Sequence, residues 1–206
     1  MLSTTFRAPL IAGLLPFAAA AQVICVLGSG ASFYKSSADQ RPTPDALELT
    51  GRANAAAQTV CGTNCPEVVL FRNATTLSVM LMAEAGRAKI VYAPQVLTGV
   101  HERYGDAGIV ALVAHALGHA LDDALGAAWI DQAWSPELRA DSWAGCILAR
   151  SKFAWADTQA AMGALAEFPS QSHPNWNVRA PAIRAGYAHC GGTTPLDSGG
   201  GRSKPQ

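Results

Sequence analysis

The sequence predicts an α+β fold, a single domain over residues 22–190 in which a small β-sheet packs on a mainly helical body. Three observations point to it. Runs of strand length rich in Val, Leu and Ile cluster between Glu67 and Tyr92. From Pro94 onward the pattern turns helical, with repeated cap signals. Half of the 206 residues are apolar, enough for one core that needs neither metal nor disulfide to form. Short strands followed by a run of helices, without internal repeats, give α+β rather than an alternating α/β pattern.

Residues 1–21 read as a secretory signal peptide: Arg7 in a short polar lead, an apolar run over 8–17, then Ala18-Ala19-Ala20-Ala21. The run is interrupted by Pro16 and is shorter than the ~20 residues a membrane crossing needs. Cleavage is expected after Ala21, giving a periplasmic or secreted protein with no stable membrane insertion. Acylation of Cys25 is disfavoured, because Val23-Ile24 lacks the small residue such processing wants. Residues 26–42 read as extended or irregular.

Thr43-Pro44-Asp45 supplies an N-cap, a first-turn proline and a first-turn acid for a helix to about residue 59. Strands are expected over 67–72, 77–82 and 89–92, with turns at Asn73-Ala74 and at Ala85-Gly86-Arg87. A helix over 94–104 should break at Gly105, and Asp106 can cap the next one, over 107–125. Ser135-Pro136-Glu137 opens a helix to about residue 152, and another is expected over 156–167. His173-Pro174 opens the last, towards Tyr187, which Pro181 should kink or split. The tail 191–206, rich in Gly, Ser, Thr and Pro, is expected to be disordered.

The 15 Lys+Arg balance the 15 Asp+Glu and form no basic run, which removes the electrostatic footprint of a nucleic-acid or anionic-lipid binder. A peptide or protein partner fits better. In an oxidising compartment the five cysteines read first as disulfides. Cys61 and Cys65 can close a tight loop, and Cys146 with Cys190 would tie the last helix to an earlier one. A zinc site on these cysteines is the weaker alternative, and Cys25 has no assigned partner.

His115 and His119 lie four apart within a helical pattern, about 40° from each other around the axis and one turn along it. Two imidazoles so placed can share one metal ion. Two histidines satisfied by neighbouring carboxylates would show the same spacing. Glu137 and Asp141, again four apart, follow on the next helix: Glu137 can be a third ligand, and Asp141 can accept a hydrogen bond from a ligand histidine. The blander alternative makes Glu137 a first-turn acid and pairs Asp141 with Arg139 or Arg150.

Taken in order, His-x-x-x-His, Glu137-x-x-x-Asp141, the segment 90–94 and His173-Pro174 followed by Arg179 resemble the HtpX-like gluzincin metallopeptidases, whose pattern is His-Glu-x-x-His and then Glu-x-x-x-Asp. The resemblance covers roughly residues 88–187. It implies a zincin-like fold with the metal site on two helices, and one Zn2+ held by His115, His119 and Glu137 with Asp141 behind them. It also implies an edge strand over 90–94 beside the cleft, a peptide substrate, and His173 and Arg179 as contacts to substrate or to the developing oxyanion.

One position departs from the pattern. Ala116 stands where the family has the glutamate that takes a proton from the attacking water and hands it to the leaving nitrogen. That glutamate is not a ligand, so its loss should spare metal binding while removing a contribution of typically ~10²–10⁴-fold to rate. Asp122 and Asp123 lie too far along the helix to be a good replacement. Two readings stay open: an active peptidase changed at this one residue, and a pseudopeptidase that binds peptides, for instance by strand addition beside residues 89–92.

Overall fold

The computed structural model describes residues 22–27, 33–62, 65–66, 68–84, 87–166 and 174–195. The expected signal peptide, His173 and the tail beyond residue 195 lie outside them. The architecture is α+β and mostly helical, with β1 (Gln22–Leu27), α1 (Pro44–Cys61), β2 (Val68–Arg72), β3 (Val79–Glu84), β4 (Arg87–Tyr92), α2 (Pro94–Leu125), α3 (Pro136–Arg150), α4 (Trp155–Ala166) and α5 (Trp176–His189).

The sheet has four strands in the order β1-β3-β4-β2. β3 pairs antiparallel with both β1 and β4, while β2 runs parallel to β4. Residues 22–27 form a strand although no turn signal precedes them. One expectation is corrected here. Residues 89–92 belong to an inner strand: β2 and β3 already occupy both sides of β4, so no backbone groups are left there to receive an added peptide strand.

Alternation along the strands divides the sheet into two faces. Leu70, Leu81, Ile90 and Tyr92 point into the main core, with α1 and α2 on that side. Met80, Met82 and Val91 point the other way, into a small second core completed by Val26 and Tyr34. α1 presents a helical stripe of Ala46, Leu49, Ala53, Ala56 and Ala57 to the main core, and its first turn is capped by the Thr43 hydroxyl, which accepts from Ala46 N.

α2 is the central helix. Gly105, at φ 59° and ψ −158°, interrupts it at the expected place, a conformation that glycine adopts without Cβ penalty. Asp106 lies across this break with its carboxylate 3.1 Å from His101. Every residue from Ala107 to His119 is buried. α2 has the length and hydropathy of a membrane span, but here protein covers it.

α3 starts at a Ser135 cap that accepts from Leu138 N. α5 runs unbroken through Pro181, against expectation. The ring removes one backbone hydrogen bond, but α5 is clamped on α3 closely enough to keep it one helix. A Cβ on Gly186 would lie 1.7 Å from Ser142 O, and one on Gly145 would lie 2.0 Å from Ile183 O, so the two backbones touch where only glycine fits. Disulfides join Cys61 to Cys65 and Cys146 to Cys190, which rules out a zinc site built on these four. The second of them locks α5 to α3. Just beyond α5, Thr194 is buried.

Candidate metal centre

The two histidines and the two acids are brought together by a close crossing of α2 and α3. Gly118 lies between His115 and His119, and Ala140 lies between Glu137 and Asp141. A Cβ on Gly118 would fall 2.5 Å from Ala140 O. Only a glycine lets the helices approach this far, and the approach sets one His pair opposite one acid pair.

His115, His119 and Glu137 are all buried and each offers a ligand atom within 4.8 Å of the others, so together they form a group that could hold a metal ion. Glu137 Oε2 is 3.2 Å from His115 Nε2 and 3.4 Å from His119 Nε2. The edge of a tetrahedron with metal–ligand distances of ~2.0–2.1 Å is roughly 3.3 Å, so these separations are those of ligands around one small ion. The imidazoles stand edge to face, with centroids 4.9 Å apart and planes at 82°.

Behind the ligands lies a fully buried relay. His115 Nδ1 is 3.0 Å from Asp141 Oδ1. Arg179 donates from Nε to Asp141 Oδ2 and from Nη2 to Asp141 Oδ1, each at 2.7 Å, and from Nη1 to Leu165 O at 3.1 Å. Burial by itself pushes the Asp141 carboxyl up. The hydrogen bonds from Arg179 and His115, with the charges of both, outweigh it and hold the group below the ordinary aspartate value. An ionised Asp141 only accepts, so the proton between it and His115 sits on Nδ1. When the ring is neutral, as it must be to ligate a metal, its lone pair is then on Nε2, facing Glu137 and His119.

The structure therefore brings together His115, His119, Glu137 and Asp141, as the sequence spacing indicated. Asp141 does not pair with Arg139 or Arg150; its cation is Arg179. Arg179 was expected at a substrate or oxyanion, but it is 1% exposed and spends its fork on Asp141 and Leu165. The carbonyl of Leu165 and the glycine crossing carry no sequence signal of their own. Ala116 is 3% exposed within the apolar core. Asp122, the nearest acid beyond His119, accepts from Arg139 Nε at 2.6 Å, and Asp123 is exposed.

No protein-family model, no curated protein and no solved structure matches the chain. Function is accordingly read from the site itself.

Proposed function

We propose that this chain is a secreted zinc-binding protein on the plan of the HtpX-like gluzincin metallopeptidases, with peptide-bond cleavage absent or strongly impaired because Ala116 stands in place of the general base. The observation that carries the reading is the buried His115–His119–Glu137 group, with His115 held in the ligand tautomer by Asp141 and Arg179. Two imidazole nitrogens and one carboxylate at tetrahedral spacing suit zinc better than the harder oxygen-seeking ions. A zinc ion bound there supplies Lewis acidity towards a peptide carbonyl. His115, His119 and Glu137 hold it, and Asp141 and Arg179 orient the first of these ligands. The methyl of Ala116 can neither take nor return a proton, and Asp122 is engaged by Arg139. Two disulfides suit the oxidising, periplasmic or extracellular setting of such a protein.

The second reading is a pseudopeptidase that retains the metal centre as a peptide- or protein-binding module. It is favoured by the packing of Ala116 in the apolar core, with Asp122, the nearest acid beyond His119 among the described residues, engaged by Arg139. Installing Glu at this position separates the two. If Ala116→Glu protein gains chelator-sensitive cleavage of an unfolded protein such as casein, the peptidase plan is intact but for its base. If it binds zinc as before and stays inert, the binding-module reading stands.

A further inference from the structure

A cleft of about 280 Å³, lined by none of the metal-centre residues, lies between the N-terminus of α1, the ends of β2 and β4 and the first segment of α2. Its polar lining is Arg72, Tyr92 and Asp45 with Thr43, Thr98 and His101, and its apolar wall includes Leu49, Leu97 and Ile109. Arg72 and Tyr92 are register partners at the last pair of the parallel β2–β4 ladder, so their side chains leave the same face of the sheet side by side. Both present buried donors: Arg72 Nε and the Tyr92 hydroxyl have no hydrogen-bond partner, and Tyr92 is 2% exposed. Asp45 lines the same cleft, yet no ion pair joins it to Arg72 among the described residues.

Buried donors are normally satisfied, and an acceptor on a ligand in this cleft would satisfy these two together. We propose that this cleft binds a small ligand carrying a carboxylate on an apolar body, the chemistry shared by a free apolar amino acid and the C-terminal residue of a peptide. The guanidinium matches the two oxygens of a carboxylate, and the Tyr92 hydroxyl adds a third donor. The positive end of the 18-residue α1 faces the same space and favours the anion. Leu49, Leu97 and Ile109 receive the apolar body. Asp45 opposes a doubly charged phosphate, whereas a carboxylate of single charge tolerates it, and the ammonium of a free amino acid would pair with it. The volume is that of a ligand at the small end of the usual range.

The test is calorimetric titration of the full chain with L-leucine, with Gly-Gly-Leu, with the C-terminal amide of Gly-Gly-Leu and with inorganic phosphate. At least one of the two acids binds, with Kd roughly millimolar or tighter. The amide binds at least ~10-fold more weakly than its acid, as expected when a charge-assisted hydrogen bond is lost. Binding of leucine identifies a free amino acid as the ligand class, and binding of Gly-Gly-Leu alone identifies a chain end. Arg72→Met abolishes binding. Tyr92→Phe, which removes a hydroxyl that makes no hydrogen bond in the protein and so leaves the fold intact, weakens it several-fold. Absence of binding by both acids, equal binding of acid and amide, tighter binding of phosphate than of either acid, or unchanged affinity in Tyr92→Phe overturns the proposal. None of these readouts depends on the metal centre.

Discussion

Arg179 grips Asp141 through two hydrogen bonds of 2.7 Å, and Asp141 in turn holds Nδ1 of His115 at 3.0 Å. A cation on α5 thus sets the orientation of a metal-ligand candidate on α2 through a carboxylate on α3. Removing the cation leaves a buried charge without its counterion. Arg179→Met should cost about 3–5 kcal/mol in urea unfolding. It should also lower zinc affinity by roughly 10–100-fold in competition with a chelating dye. A variant unchanged in both would show that the relay does not support the site.

Asp141 also gives the protein a defined acid response. Its carboxyl is held below the ordinary aspartate pKa, so the stability it contributes is present above the unfolded value of ~3.9 and is lost as pH falls through the lower folded value. The stability difference between the unmodified chain and Asp141→Asn should therefore be greatest near neutrality and shrink below about pH 4, where the unfolded state takes up the proton first. Urea midpoints measured from pH 7 downwards check this, and a difference that grows on acidification would contradict it.

Gly118 is the spacer that allows the two motif helices to meet. Gly118→Ala places a methyl group against the backbone of Ala140. The expected result is a loss of about 1–3 kcal/mol from overpacking, accompanied by weaker zinc binding, because separating α2 from α3 pulls His115 and His119 away from Glu137. Thermal melts with and without zinc measure both effects. Gly51, with open space around it, is the control: Gly51→Ala should be neutral or stabilising.

The Cys146–Cys190 disulfide closes a loop with a sequence separation of 44 and fastens the helix that carries Arg179 to the helix that carries Asp141. Replacing both cysteines with serine should lower stability by about 3–4 kcal/mol, chiefly through the freedom restored to the unfolded chain. Chemical denaturation of the double variant checks the value.

Much of this was legible in the sequence because it rests on local chemistry. Thr43-Pro44-Asp45 and Ser135-Pro136-Glu137 announce helix starts, Gly105 announces a break, and two four-residue spacings announce one face each on α2 and α3. What was not legible depends on contacts distant in the chain. β1 is a short strand that exists because β3 offers it an edge. The inner place of β4 follows from a parallel crossover that no turn residue signals. Pro181 reads as a helix breaker, yet tertiary packing at Gly145 and Gly186 overrides it. The partner of Asp141 could be narrowed to an arginine, but residues on the same helix were nearer in sequence than the one the fold brings up from α5. The cleft at Arg72 and Tyr92 joins residues from four elements and has no motif at all.

The central claim is that His115, His119 and Glu137 hold one zinc ion, with Ala116 at the position where the proposed peptidase plan has its general base. Elemental analysis of the purified full chain, dialysed against zinc and then against buffer, tests it most directly when run beside His115→Ala and His119→Ala. About one zinc per chain, lost in both variants while circular dichroism shows them folded, is the result predicted from the donor set. Metal-free protein, or zinc retained equally by the two variants, would contradict the claim.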